Sequence, residues 1–142
     1  MDVICGFDRS SYSDAAVLFA ADEARLRGAR LVVVSVINWL GTLWHDEYAP
    51  DAAPGAEYVA KHRMLVRDYV DGLLASHGIA VPTLEVLTPL GNPAEELVKA
   101  SADSTLLVVG SRGAGGFERL LLGSVSSAVV HHSRCPVTVV PG

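Results

Sequence analysis

Short apolar runs rich in β-branched residues alternate with longer stretches of helical composition, and this alternation constrains the fold most. The five apolar runs span residues 2–7, 30–37, 81–87, 105–109 and 136–140. Their length and composition are typical of buried strands rather than helices. The stretches between them, residues 10–27, 57–77, a segment opening at Asn92, and 124–132, are predicted helices. Strands that alternate with helices require crossover connections. The chain is therefore predicted to be an α/β protein with a mostly parallel sheet and helices on both faces.

Residues at the ends of the predicted helices support these boundaries. Ser11, followed three residues later by Asp14, resembles a capping box, and Gly28 is a typical terminator. Asn92 is a predicted N-cap, and Pro93 fits the first helical position. In the second helix one apolar stripe is predicted from these side chains: Tyr58, Leu65, Tyr69 and Leu73, joined by Val66, Val70 and Leu74.

Length and charge narrow the class of protein. The chain has 142 residues and a formal net charge of −5, and it is predicted to form one domain over residues 1–142. The net negative charge argues against nucleic-acid binding, because a protein that binds the phosphate backbone needs a basic surface. No apolar run approaches the roughly 20 residues that span a bilayer, and no signal peptide is visible, so we expect a cytoplasmic protein without membrane contact. Cys5 and Cys135 lack metal-binding spacing and are predicted to be small buried apolar residues.

Two strand exits carry the most polar and flexible sequence. In open parallel sheets ligands bind beyond the carboxyl ends of the strands, where the strand order reverses. The first strand is followed by Asp8 and the fourth by a glycine-rich loop that starts at Gly110 and runs to Gly123. Ser124, next in the chain, is predicted to begin the last helix. We therefore expect any ligand to bind at these two exits.

The segment from Gly123 to Ser126 has the features of a phosphate cradle. Glycine lets an anion approach the backbone, and a helix start offers unpaired N–H groups with partial positive charge. The hydroxyls of Ser124 and Ser126 can add hydrogen bonds, with Val125 between them. The loop is neither a Walker A motif, because no lysine follows Gly110, nor a dinucleotide GxGxxG motif. A glycine-rich turn with a capping serine and no ligand is the alternative interpretation.

The spacing Gly110-x2-Gly113-x9-Gly123-Ser124 resembles the ATP-binding signature of the universal stress protein family. The segments CGFDRSSYSDAAVLFAADEA, GNPAEELVKA, LLVVGSRG and CPVTVV also resemble that family, so the similarity spans nearly the whole chain. The resemblance implies a five-stranded parallel sheet of order 3-2-1-4-5 flanked by four helices, as in the adenine nucleotide alpha hydrolases. It implies ATP as the ligand, with AMP, ADP or a cyclic nucleotide as alternatives, and Mg²⁺ accompanying ATP.

The resemblance also assigns roles to particular positions. Asp8 matches an acidic residue near ribose and adenine, and Val36 matches an apolar residue that lies against adenine. The implied nucleotide site consists of Gly6, Phe7, Asp8, Val36, Val109, Gly110, Arg112, Gly113, Gly123, Ser124, Val125 and Ser126. For Asp8 the alternative is a helix or turn cap, and for Arg112 or the weaker candidate Arg119 it is a solvated loop cation.

Some segments depart from the family pattern. Arg9 stands where many members have glycine, which predicts a stiffer first exit or a side chain that reaches over the pocket. The loop from Trp39 to Tyr48 is rich in aromatic residues. A lid on the nucleotide, a partner surface and a cover for the core are the three interpretations of this loop.

Three functions compete at this stage. The first is a cytoplasmic ATP-binding switch or sensor in the stress response. The second is a protein-interaction module of the same fold that binds no nucleotide, and the third is a slow ATPase. No nucleophile, base and orienting group can be assigned, so any ATPase activity is expected to be weak and no catalytic or metal-binding residue is named. The strand from Pro136 to Val140 is expected to lie at the sheet edge and, as in the family, to pair two copies into a homodimer.

Overall fold

A computed structural model describes residues 1–38, 54–113 and 122–142. Its five strands are β1 (Asp2–Gly6), β2 (Arg30–Val34), β3 (Leu84–Leu87), β4 (Leu106–Gly110) and β5 (Val137–Val140). The helices in the described ranges are α1 (Ser11–Arg27), α2 (Ala56–Ser76), α3 (Pro93–Ser101) and α4 (Ser124–His132). The strands form one sheet of order β3-β2-β1-β4-β5 with every neighbouring pair parallel. The predicted fold class and strand order are confirmed.

The strands are shorter than predicted at several ends. β2 stops at Val34 rather than Ile37, although Ile37 still bridges to Leu90 beyond β3. β3 begins at Leu84 rather than Val81. Apolar residues continue past the paired segments in both cases because they still contact the core, so hydrophobicity alone overestimates strand length.

The helix starts follow the capping chemistry, with one correction. The Asn92 side chain accepts a hydrogen bond from the Glu95 N–H, and Pro93 opens α3 as predicted. In α1 the cap is Ser10, not Ser11: the backbone of Ser10 is extended, and its hydroxyl accepts from the Ser13 N–H at 3.1 Å. Adjacent serines make such a cap ambiguous by one residue in the sequence.

Two apolar clusters sandwich the sheet. On one face α1 and α2 cover alternate strand residues such as Val3, Cys5 and Val33. On the other face Ile4 and Leu107 pack beneath α3 and α4. This alternation follows from the two-residue period of a strand, which turns successive side chains to opposite faces.

The predicted stripe on α2 is only partly correct. Val66, Val70 and Leu74 are buried against the sheet, but Tyr58 and Leu65 are exposed. Tyr69 is also 44% exposed, although its ring packs 5.5 Å from that of Phe7. The buried stripe is narrower than the predicted one, because the fully buried residues Val66, Val70 and Leu74 recur every four positions along a single line of α2. Among the described residues, no helix is long and apolar enough to cross a membrane.

Candidate functional site

The exits of β1 and β4 lie side by side at the carboxyl edge of the sheet. The two strands pair in parallel, with Cys5 opposite Val108, so their following loops meet. The contact is close, since a Cβ placed on Gly113 would lie 2.7 Å from Oδ2 of Asp8. Glycine at position 113 is therefore what allows the Asp8 carboxylate to approach the second loop.

A cavity of about 480 Å³ opens between these exits. Its lining brings together all twelve residues predicted from the sequence, which come from four separate parts of the chain: Gly6, Phe7, Asp8, Val36, Val109, Gly110, Arg112, Gly113, Gly123, Ser124, Val125 and Ser126. Four further lining residues were missed, namely Ser13, Val34, Pro93 and Leu97. Strand alternation places Val34 and Val36 on one face, so a period-two count from Val36 would have found Val34.

One wall of the cavity is apolar. Val36 lies two residues beyond the end of β2 and packs against the cluster that contains Val34, Leu97 and Val109. Gly6 lets Leu97 pack closely against the end of β1, because a Cβ there would lie 3.0 Å from Cδ1 of Leu97. A flat apolar group such as a nucleobase fits a wall of this kind.

The start of α4 forms another part of the cavity lining. Gly123 is the N-cap residue and provides no side-chain cap, so the first N–H groups of the helix lack a side-chain acceptor from this residue. The Gly123 N–H itself donates to the Ser111 carbonyl at 2.6 Å. Ser124 is exposed at the first helical position. The helix start thus presents partial positive charge to the cavity.

The Ser126 hydroxyl has protein partners. Its Oγ lies 2.9 Å from the Ser111 carbonyl and 3.1 Å from the Gly123 carbonyl, and the residue is buried. A hydroxyl has a single proton to donate, so Ser126 in this arrangement joins the β4 exit to α4. Ser124 is the better placed of the two serines to donate to a ligand.

Asp8 caps the turn that follows β1 and also lies close to the β4 exit. Its Oδ1 accepts from the Ser10 N–H at 3.0 Å, which forms an Asx turn leading into α1. Its Oδ2 is the oxygen that lies near Gly113. The carboxylate therefore shapes the first exit and also faces the second.

Arg9 adopts an unusual backbone conformation. Its φ is +68°, in the left-handed region that favours glycine, and the residue is exposed. This conformation explains why glycine suits the position. Arg9 does not belong to the lining of the cavity. The prediction that its side chain reaches over the pocket is therefore wrong.

A second polar contact lies on the α2 side of the strand exits. Nε2 of His62 is 3.1 Å from Oγ of Ser35, which is buried just past β2. Burial of His62, followed by the positive charge of Arg9, lowers the pKa of the imidazole below its ordinary value of 6.5. The pair links α2 to the segment that carries Val36.

The described ranges contain no group of three or more His, Cys, Asp or Glu side chains that could hold a metal ion. Both cysteines are free: Cys5 is buried as predicted, but Cys135, just before β5, is only partly buried. Burial strongly raises the pKa of the Cys5 thiol, which makes it unreactive. The aromatic loop from Trp39 to Tyr48 and the candidate Arg119 lie outside the described residues.

Comparison with protein families gives one match over nearly the whole chain. The model described as the universal stress protein family matches residues 1–141. A universal stress protein of Mycolicibacterium smegmatis is 36% identical over 143 residues, covering 99% of this chain and 48% of that protein. Universal stress protein Rv2005c of Mycobacterium tuberculosis is 36% identical, covering 96% and 44% respectively. The chain thus spans about half the length of these relatives.

Solved structures share the fold. The hypothetical protein MJ0577 superposes with a TM-score of 0.75 at 21% identity, covering 99% of this chain and 95% of that one. A universal stress protein in complex with cAMP gives 0.68 at 25% identity, with 99% and 95% coverage. The universal stress protein of Archaeoglobus fulgidus in complex with dAMP gives 0.69 at 19% identity, with 99% and 97% coverage.

Proposed function

Because this chain belongs to the universal stress protein family, we propose that its cavity binds an adenine nucleotide and that ATP is its ligand in the cell. The observation that carries this proposal is the convergence of all twelve predicted residues on one cavity. Its volume of about 480 Å³ lies within the roughly 300–1,000 Å³ typical of small-molecule sites. The adenine nucleotides cAMP and dAMP, held by two structural neighbours, support the ligand class.

Each part of the cavity suits one part of the nucleotide. The apolar wall at Val36 and Val109 would take the adenine ring. Asp8 would accept hydrogen bonds from ribose hydroxyls, because its Oδ2 faces the junction of the two exits. The phosphates would lie between Gly113 and the start of α4, where glycine and helix N–H groups favour an anion.

Mg²⁺ would enter with ATP rather than through a dedicated protein site. This ion commonly binds through substrate phosphates, waters and one or two carboxylates. Asp8 is the single acidic residue among the described residues that line the cavity. The cavity residues would accordingly hold the nucleotide without a full set of metal ligands.

We propose a binding role, as a nucleotide-dependent switch or sensor in the stress response, in preference to efficient turnover. The described lining contains no lysine and no histidine, so it offers one carboxylate as a base and one arginine for phosphate charge. A homodimer formed through β5 and a cytoplasmic location complete the proposal. A slow ATPase and a nucleotide-free interaction module are the competing functions.

The first experiment is to measure nucleotide released from the purified, denatured protein, together with calorimetric titration of Mg-ATP. Stoichiometric adenine nucleotide or micromolar binding without turnover supports the proposal. ADP release that depends on Mg²⁺ favours the slow ATPase. No released nucleotide and no binding would overturn the proposal and favour the interaction module.

Two glycines form a matched pair for the site assignment. Gly123 and Gly55 are both N-cap residues without a side-chain cap, with φ/ψ of −75°/174° and −74°/169°. Only Gly123 lines the cavity, whereas a Cβ on Gly55 meets nothing within 4 Å. Gly123→Val should therefore abolish ATP binding, and Gly55→Val should leave it intact. Equal ATP affinity in the two variants would contradict the assigned phosphate cradle.

A further inference from the structure

Arg112 is the only cation among the described residues that line the cavity. Its Cζ lies 5.8 Å from the centroid of the Tyr12 ring, within the range of a cation–π contact. Tyr12 belongs to the first turn of α1 and is separated from Arg112 by about a hundred residues in the chain. The spacing of glycines and serines in the site does not predict a role for this tyrosine.

Tyr12 has a glycine packed closely against it on two sides. Its backbone lies against Gly110, where an added Cβ would come 2.8 Å from the Tyr12 carbonyl carbon. Its ring lies against Gly142, where an added Cβ would come 2.5 Å from Cδ1. A Cβ at either glycine would clash with Tyr12, so both backbones lie close to this residue. The ring therefore has neighbours on two sides next to the β4 exit.

The backbone of Arg112 is held as well. A Cβ on Gly123 would lie 3.2 Å from the Arg112 Cα, so the residue sits directly beside the start of α4. The long side chain would otherwise sample many rotamers, since arginine carries large rotamer entropy. The contact with the Tyr12 ring restricts the guanidinium to fewer positions beside the cavity.

We propose that Tyr12 is a positioning residue for phosphate binding: its ring holds the Arg112 guanidinium where it meets the phosphates of the bound nucleotide. This inference rests on the proposed adenine-nucleotide function. It assigns a share of the phosphate-dependent affinity, beside that of the α4 start, to a pair of residues of which Tyr12 does not line the cavity. The apolar wall that would take the base is formed by other residues, Val36 and Val109 among them.

The test is calorimetric titration of ATP and of adenosine into the full chain and into variants at positions 12 and 112. A cation–π contact at a partly exposed site corresponds to about a two- to fivefold change in affinity. Tyr12→Leu should therefore weaken ATP binding about two- to fivefold and leave adenosine binding unchanged. Tyr12→Phe keeps the ring and should restore the ATP affinity. Tyr58→Leu, which removes an exposed tyrosine on α2, is the matched control.

The double variant separates positioning from general damage to the fold. In an Arg112→Ala background, Tyr12→Leu should cause no further loss of ATP affinity, because the guanidinium that it positions is gone. An equal loss in both backgrounds, or a parallel loss of adenosine affinity, would overturn the inference. A gain of ATP affinity in Tyr12→Leu would also overturn it, since the ring would then be holding Arg112 away from the phosphates.

Inorganic tripolyphosphate distinguishes failure of this inference from failure of the proposed function. If the unaltered chain binds neither ATP nor adenosine, the proposed function fails. The same variants titrated with tripolyphosphate then decide whether Tyr12 positions Arg112 for phosphate. Absence of tripolyphosphate binding, or binding that is insensitive to both positions, overturns the inference independently of the adenine site.

Discussion

At the residue scale, single glycines set how closely the layers of this molecule approach. Gly110 ends β4 directly against the first turn of α1, and Gly113 admits the Asp8 carboxylate. These are steric requirements rather than requirements for unusual dihedral angles. The glycines of the β4 exit therefore serve the packing of the site even before a ligand is considered.

Gly110→Ala should destabilise the protein by about 1–3 kcal/mol, the usual range for overpacking. Its Cβ would lie 2.8 Å from backbone atoms of Tyr12, which cannot rotate away as a side chain can. Gly72→Ala is the control: Gly72 lies within α2, nothing stands within 4 Å of its added Cβ, and we expect a gain of about 0.5–1 kcal/mol. Urea denaturation measures both values. Equal free energies of unfolding in the two variants would contradict the proposed clash between a Cβ at position 110 and the Tyr12 backbone.

His62 should make stability depend on pH. Its folded-state pKa lies below the ordinary value because of burial and then Arg9, so the unfolded chain binds the proton more readily. The free energy of unfolding should therefore fall as the pH drops through about 6.5 toward the lower folded value. His62→Gln, which keeps a polar partner for Ser35, should show a smaller fall between pH 7.5 and 5.5 in urea titrations. An equal fall in both proteins would show that another group is responsible.

At the element scale, β5 is an edge strand: it pairs with β4 on one side, and its other side has no neighbouring strand in this sheet. The Leu107 N–H donates to the Pro136 carbonyl, and the Ser111 N–H donates to the Val140 carbonyl. Because N–H and C=O groups alternate sides along a strand, these bonds turn the backbone of Val139 outward. An outward row of backbone groups on an apolar edge strand is suited to pairing with a second copy.

Val139→Pro tests the proposed homodimer. It removes an outward N–H without breaking a bond to β4, since proline is tolerated where the edge of a strand is open. We expect the unaltered chain to be a dimer and this variant a monomer, as measured by light scattering across a range of concentrations. Val139→Ala loses similar packing but keeps the N–H, and it should remain dimeric. A concentration-independent monomer mass for the unaltered chain would refute the proposed dimer.

At the scale of the whole molecule, the cavity joins segments from both ends of the chain. β1 and its exit supply Gly6 to Asp8, and the β4 exit with α4 supplies residues more than a hundred positions later. A ligand held across such a junction stabilises the folded state as a whole, because the unfolded chain has no site for it.

Saturating Mg-ATP should therefore raise the unfolding temperature of the entire domain. At a free concentration 100 times the Kd the gain is about 2.7 kcal/mol, which corresponds to a rise of roughly 10 °C for a chain of this size. Scanning calorimetry with and without Mg-ATP measures the shift. Gly123→Val should lose it and Gly55→Val should keep it. A shift of the same size in Gly123→Val would indicate that ATP binds elsewhere.

The local sequence pattern by itself determined the order of helices and strands and the place of one strand exit that carries the site. The alternation of apolar runs and helical stretches predicts the elements, because a strand or helix needs its own periodicity to bury one face. The spacing from Gly110 to Ser124 predicts the β4 exit as a site because glycine and a helix start are local properties. The family resemblance added the strand order and the place of Val36.

Tertiary structure decided what depends on distant neighbours. Ser13, Pro93 and Leu97 join the cavity only because their helices start or pack beside the β1 and β4 exits. The partners of the Ser126 hydroxyl and the stacking of Arg112 on Tyr12 follow from the approach of elements far apart in the chain. Sequence periodicity reports whether a residue is buried but not which residue covers it. Those contacts are set by the order of the strands and by the few positions where a glycine, which has no side chain, lets two layers approach each other.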